Sequence, residues 1–501
     1  MNIRLSLITA SSTLLLGIAQ ANAQGYLDAL RYSQLTSGTT ARSLAIGGAA
    51  GSLGADYSAA SVNPAGLGVY RQSEITFSPY LNFNNTKTDF IGTTTSDNNT
   101  AFKIGNVGLV LNSNDARKSG WKGVTFAVGY NKLADFNTNY TYQGINGQSS
   151  FSEVMAYHAQ TRGVNEDVGP LGYLGYQGYL LTNDYRSIPY NNVIKNGGTL
   201  KQTNYLESKG AVNDYNISLA GNYDDKLMLG ASLGITSYRF KRTTEFVEAD
   251  NTGNTNNDFD YFSFLEDLET TGVGINGKFG AIYAPSTMFR VGLAIHTPTF
   301  ASYTDYIDYN LVSRMEGLGN HNNITPQNKY RSDYSITTPM RAIASATGFF
   351  GTKGFITADV EYVPYNTMRI RYEGDGVNEM ERNENDYISN TFKGAVNARV
   401  GAEVRANDMI SLRAGGAYYA NPYKSGAYDM GSDRVDLSLG AGFKIGKNAN
   451  LDVTYLHSQQ NAKELSYSFP VGNNVSPVPI FYDASIKNNR NMVAMTLGLK
   501  F

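Results

Sequence analysis

The chain contains no cysteine. That absence excludes disulfides, thiolate zinc sites and a thiol nucleophile together. An excess of charge of one sign is also missing. The 41 lysines and arginines stand against 43 aspartates and glutamates, so there is no electrostatic footprint for nucleic acid or a polybasic membrane contact. Beyond the first 23 residues no apolar run approaches the roughly 20 residues that a spanning helix needs, which argues against a helical membrane protein. There is no phosphate loop, dinucleotide fingerprint or metal-ligand cluster. Nothing singles out a serine, a histidine and an acidic or amide partner, so neither an enzyme nor a bound cofactor is expected.

What is present is glycine and tyrosine, 52 and 36 of them in 501 residues, with a single tryptophan. Together with many short alternating stretches, this is the composition of a transmembrane barrel or a large soluble β protein. Arg4, the apolar run 5–18 and Ala21-Asn22-Ala23 form a secretory signal, so residues 1–23 are expected to be removed before Gln24.

Residues 24–72 lack strand alternation and are rich in small side chains, as in Ala45-Ile46-Gly47-Gly48-Ala49-Ala50-Gly51. Tyr26, Leu27, Leu30 and Tyr32 predict a short helix there, and the low charge suits an enclosed space. The segment closes on Asn63-Pro64-Ala65.

Residues 73–501 read as strands. Ile75, Phe77, Leu81 and Phe83 share one face, and Val124, Phe126, Val128 and Tyr130 alternate with small or polar residues. Leu227, Leu229, Ala231, Leu233 and Ile235 follow the tight turn Asp224-Asp225-Lys226. Short turns alternate with long connections at about 135–201, 247–271, 301–331, 372–387, 420–432 and 468–488, the pattern of outer-membrane barrels with the short side periplasmic. The count is about fourteen strands, an even number with both ends periplasmic. The last strand ends on the aromatic Phe501, as expected of a chain inserted by the barrel assembly machinery. An unpaired backbone group costs several kcal/mol in hydrocarbon, so such a sheet must close. The expected fold is therefore all-β, a 14-stranded antiparallel transmembrane β-barrel with residues 24–72 as a hatch inside the lumen.

In these features the chain resembles the FadL-type outer-membrane transporters of long-chain fatty acids and other hydrophobic compounds. The resemblance rests on the N-terminal segment ending in Asn63-Pro64-Ala65, on 277–285 (GKFGAIYAP) with 289–293 (FRVGL), on 358–362 (ADVEY), on 399–405 (RVGAEVR) and on the terminal Gly498-Leu499-Lys500-Phe501. It implies passive transport of hydrophobic small molecules in the bacterial outer membrane. External loops would capture the ligand, the hatch would rearrange, and the ligand would leave sideways beside a kinked third strand. The alternatives are a structural or secretion-accessory barrel of the same fold, or a hemin receptor. Outer-membrane lipid is the expected surrounding, no nucleic-acid partner is expected, and the barrel is expected to be monomeric.

Asn63, Pro64 and Ala65 are the candidate hatch motif, against an ordinary Asx-Pro turn. Phe151, Met155, Leu174, Tyr179 and Leu180 are candidate ligand-capture residues facing a second cluster of Phe259, Tyr261, Phe262, Phe264 and Leu265; the alternative is that they pack the loop onto the rim. On the lumen faces Arg290, Arg399 and Arg413 could meet a carboxylate. The expected reading there is an ion-pair network with Asp359, Glu361, Glu403, Arg434, Asp436 and Asp452. His158, His296, His321 and His457 are expected on the surface or rim.

Overall fold

The computed structural model describes residues 24–36, 39–114, 120–181, 199–255, 258–316, 319–327, 329–373, 378–425, 430–469 and 480–501; the expected signal segment 1–23 lies outside them. Fourteen strands, each hydrogen-bonded antiparallel to its neighbours, close into a barrel. They are β1 (Glu74–Phe90), β2 (Thr93–Asn114), β3 (Trp121–Asp135, continued by Thr138–Asn146), β4 (Leu200–Tyr223), β5 (Leu227–Asp250), β6 (Tyr261–Ser286) and β7 (Phe289–His296 and Phe300–Met315). The second half comprises β8 (Tyr330–Thr337 and Arg341–Phe349), β9 (Gly354–Pro364 and Arg369–Tyr372), β10 (Gly394–Arg405), β11 (Ile410–Tyr419), β12 (Gly431–Ile445), β13 (Ala449–Phe469) and β14 (Ile480–Lys500). β14 pairs with β1 from Glu74↔Lys500 to Asp89↔Ser485, so the sheet has no outer edges at its ends. β7, β8 and β9 are each interrupted beside a proline, at Pro298, Pro339 and Pro364. A residue without an N–H cannot donate to the ladder.

Alternation sorts side chains into two environments. On β7, Phe289, Val291, Leu293 and Ile295 are exposed outward, while Arg290, Gly292, Ala294 and His296 face the lumen. The outward residues Tyr455, Val493, Leu81 and Phe102 stand in mutual register across four strands and are all exposed. So much contiguous apolar surface is stable only against lipid. This band defines the membrane level.

The wall rises well above that level. β5 and β6 run for 24 and 26 residues, against the roughly 9–11 that a spanning strand needs. Two stretches expected as loops, 247–271 and 301–331, are therefore largely strand: β5 reaches Asp250, β6 starts at Tyr261, β7 reaches Met315 and β8 starts at Tyr330. The short strand Gly319–Ile324 folds back on β7. In this upper region the outward positions turn polar, as at Arg239 and Lys241, while Tyr238, Phe240 and Phe246 stay buried inside. Cross-strand pairs such as Arg242–Glu266 and Phe246↔Phe264 hold the ladder without a lipid-facing stripe. The other expected loops are also partly ordered. β3 continues to Asn146, β14 starts at Ile480, and 372–387 overlaps a helix, Asn378–Thr391.

Inside the barrel lie the helices α1 (Gln24–Ser33), α2 (Ala41–Ala45) and α3 (Ala59–Val62), followed by a 3₁₀ turn, Pro64–Val69. Thr40 caps α2 by accepting the Ser43 N–H at 3.2 Å. Pro64 opens the 3₁₀ turn, where its missing N–H costs nothing. Three more helices, α4 (Ser152–Arg162), α5 (Pro170–Gln177) and α6 (Asn378–Thr391), come from the long connections.

Candidate functional site

Asn63-Pro64-Ala65 sits against the inner wall of β5, β6 and β7. The Asn63 amide donates to Gly51 O at 2.6 Å and, at 3.4 Å each, to Ala281 O on β6 and Leu293 O on β7. Its oxygen accepts the Ala65 N–H at 3.1 Å. One side chain thereby ties two hatch turns to two strands. The wall is made of glycine where this contact is closest. A Cβ at Gly280 would strike the Asn63 oxygen, and one at Gly230 would strike the Pro64 carbonyl.

The three candidate lumen arginines are all committed to contacts. Arg399 and Arg341 converge on Glu361 at 3.3 and 3.1 Å, all three buried. Neighbouring Asp359 accepts the Gly51 N–H of the hatch at 3.1 Å, and Arg341 also donates to Ser33 O. Arg413 bridges Glu403 at 2.7 Å and Asp452. Arg290 donates to Leu53 O at 2.7 Å and stacks over Phe349. Removing one member of such a buried pair typically costs ~3–5 kcal/mol, because the other charge is left uncompensated.

On the opposite side the wall parts. β3 stays paired to β4 along its whole length, but its ladder with β2 runs only from Asn106↔Asn131 to Asn114↔Gly123. Residues 93–104 of β2 pair with β1 alone, and Gly105 is skipped in the register. Irregularities at Lys132/Ala134 on β3 and Ser78/Pro79 on β1 mark the level of the parting. Above it, β3 bends behind the β1–β2 hairpin, where Thr141 N–H reaches Asp97 at 2.7 Å and Asn84 reaches Asn137 O at 2.6 Å. The outer lips carry exposed Phe102 and Ile104 on one side and Tyr130 on the other, whose hydroxyl lies 3.5 Å from Ile104 O. Both lips thus stand at the membrane level, where irregular backbone is tolerated only beside protein or a polar cavity.

The hatch closes this split from within. Thr36 N–H donates to Leu133 O of β3 at 2.7 Å. Asn131, the last paired residue, accepts from Thr39 and Asn106 and donates to Ser61, each at 2.8 Å. These latch residues were not among the sequence candidates. The one available signal was an amide at an inward position of β3, whose other inward residues include Thr125, Ala127 and Gly129.

The loop candidates lie at the external mouth. Phe151, Met155, Leu174, Leu180, Phe262 and Phe264 are buried, Leu265 is half-buried and Tyr179 is exposed. Phe151 packs against Phe246 and Phe264 at 5.1 and 5.3 Å between ring centroids. Beneath α4, buried Glu248 accepts the Phe151 N–H at 3.1 Å and the Gln202 amide at 2.9 Å. Here the two helices turn their apolar faces inward as a closed plug rather than an open groove. His158 on α4 is pushed down to about 4 by burial. His296 meets Val62 O, His457 meets Asn491, and the side chain of His321 lies outside the described residues. No group of three potential metal ligands comes together among the described residues.

Between plug and seat lies a cavity of ≈ 290 Å³ bordered by α1, the bend of β3 and the inner faces of β1, β4, β5, β13 and β14. α1 forms one edge of it and packs Tyr32 on Tyr303 at 4.9 Å between ring centroids. Arg31 stacks over Phe240 at 4.2 Å, and the Tyr26 N–H donates to Glu384 of α6 at 3.1 Å. Burial pushes the Glu384 carboxyl up to about 7.

Residues 192–501 match the family model described as outer membrane protein transport protein (OMPP1/FadL/TodX). No curated protein matches the chain in sequence. Among solved structures it is similar to a Pseudomonas aeruginosa FadL homologue, at 14% identity and TM-score 0.56, over 94% of this chain and 100% of that one. It is also similar to the Pseudomonas putida toluene transporter TodX (12%, TM-score 0.52, 93% and 98% covered). The Ralstonia pickettii toluene transporter TbuX is a third (15%, TM-score 0.51, 93% and 99%). At these identities the structural likeness establishes the fold.

Proposed function

The chain belongs to the OMPP1/FadL/TodX family of outer-membrane transport proteins, and we propose that it moves lipophilic small molecules inward down their gradient, releasing them sideways through the split between β2 and β3. The observation that carries this reading is the split itself, a parted ladder at the membrane level whose inner side meets the hatch. The hatch fills the direct route toward the periplasmic turns. A sideways route spares an apolar solute from crossing water on that side.

In this reading the mouth helices α4 and α5 take up the solute as their apolar faces part. Small shifts of α1 and of the latch at Asn131 then connect the lumen to the split. The seat at Asn63, Pro64 and Ala65 holds the rest of the hatch still. No nucleotide or cofactor is required. The test is uptake of radiolabelled dodecanoate and toluene by cells with and without the protein. Accumulation that depends on the protein for at least one of them supports the reading. Equal accumulation of both in the two strains contradicts it.

A further inference from the structure

The cavity beside α1 has a chemistry that the transport reading does not use. Eleven of its fifteen lining residues are polar or charged. Asn82 and Asn84 on β1 and Asn488 and Arg490 on β14 share the inner face of the closing seam, with Asn84 directly opposite Arg490. The side-chain oxygens of all three asparagines, and the Nε atoms of Arg490 and Arg242, are buried without a hydrogen-bond partner among the described residues. Asn82 and Asn84 are only 2% and 7% exposed. Five orphaned polar atoms around one space call for a ligand that both donates and accepts hydrogen bonds.

The charges around that space argue against an anion. Arg31 pairs with Asp28, and Arg242 with Glu266 at 3.0 Å. Glu464 faces both arginines and the Tyr140 hydroxyl, and Asp135 accepts from Tyr80 at 3.1 Å. With Lys103, which donates to the lining Asn137 at 3.1 Å, four cations (31, 103, 242, 490) meet four carboxylates (28, 135, 266, 464), so no surplus positive charge is left to hold a carboxylate head. Phe136 and Phe240, packed edge-to-face at 5.5 Å between ring centroids, with Arg31 over the Phe240 ring, supply the apolar side of the lining beside the polar groups. Asp135, Phe136, Asn137 and Thr138 are also the bend of β3, so a head group held here leaves its chain beside the split.

We propose that this cavity binds the uncharged, hydroxyl-bearing head of an amphiphile, of the acylglycerol class, and that the barrel prefers such molecules over hydrocarbons and free fatty acids of equal chain length. The hydroxyls donate to Asn82, Asn84 and Asn488 and accept from Arg490. This rests on the transport reading above and narrows its substrate.

The test compares three radiolabelled ligands with the same twelve-carbon chain, dodecane, dodecanoate and 1-monododecanoylglycerol. Binding is measured by scintillation proximity on protein purified in a zwitterionic detergent and moved into phosphatidylcholine nanodiscs. The expected result is at least tenfold tighter binding of the monoacylglycerol than of either other ligand. In Asn82→Leu and Asn488→Leu that advantage falls to within about twofold while dodecane binding is unchanged. Equal binding of all three, or tighter dodecanoate, overturns the head-group assignment and leaves lipophile transport standing. Binding of none overturns both.

Discussion

The two ends of the hatch are held in different ways. Residues 41–69 rest in a fitted seat. Asn63 bonds to two strands, glycines at 230 and 280 let backbone meet backbone, and Asp359 and Arg290 reach in from the wall. Residues 24–36 are held chiefly by side-chain packing: buried Tyr32 stacks on Tyr303 at 4.9 Å and meets Tyr238 at 5.5 Å between ring centroids, beside hydrogen bonds from Tyr26 to Glu384, from Arg341 to Ser33 O and from Thr36 to Leu133. The seated end meets closed wall and reaches the split through Ser61, whereas the other end runs along the split through Thr36 and Thr39. The contrast assigns closure to one end and passage to the other.

Breaking the seat should have the largest effect. Glu361→Leu removes the carboxylate that Arg341 and Arg399 share, leaving Asp359 at 3.9 Å as the carboxylate beside Arg399, and is expected to cost ~3–5 kcal/mol, read as a lower denaturant midpoint for the assembled barrel. Gly280→Val drives a side chain into Asn63. It should cost ~1–3 kcal/mol and let a small sugar leak through liposomes carrying the variant, which wild type blocks.

At the split the order of effects reverses. Asn131→Ala frees the latch to Thr39 and Ser61 at about 1–2 kcal/mol and should change ligand uptake severalfold without sugar leakage. If Asn131→Ala leaked like Gly280→Val, the division between the two ends would fail.

The smallest effect concerns α1. Glu384 is raised by burial to about 7 from an ordinary 4.5. Between those values the docked state keeps a proton that the released state gives up. Docking of α1 on α6 is therefore strongest below pH 4.5, weakens as pH rises from there to about 7, and levels off above it. The protection factor of the Tyr26 amide in hydrogen exchange should fall between pH 5 and 8 in wild type and stay level in Glu384→Gln.

The barrel was legible because lipid imposes period two on every strand, as in Leu229, Leu233 and Ile235, and because an Asn-Pro-Ala turn after a low-charge segment fits a hatch. The tall wall at 247–271 was not. Above the membrane the outward positions of β5 and β6 carry Arg239, Lys241 and Glu269, and alternation hidden among charges reads as loop. Arg399, Arg413 and Arg290 were legible as lumen residues. Their partners depend on a register that sequence does not display; Glu361, for example, lies 38 residues from Arg399. The latch at Asn131 and the orphaned asparagines at 82, 84 and 488 were missed for the same reason. Each is an ordinary inward polar residue until the bend of β3 brings it to a site.

The most direct measurement asks whether the split conducts. The chain has no cysteine of its own, so Ile104→Cys with Tyr130→Cys can be bridged across the lips by a short bis-maleimide. Leu109→Cys with Val128→Cys, in register on the closed part of the same strand pair, serves as control. Bridging the lips should abolish uptake of the labelled ligand while the control bridge leaves it intact. Undiminished uptake with the lips locked would contradict the lateral route.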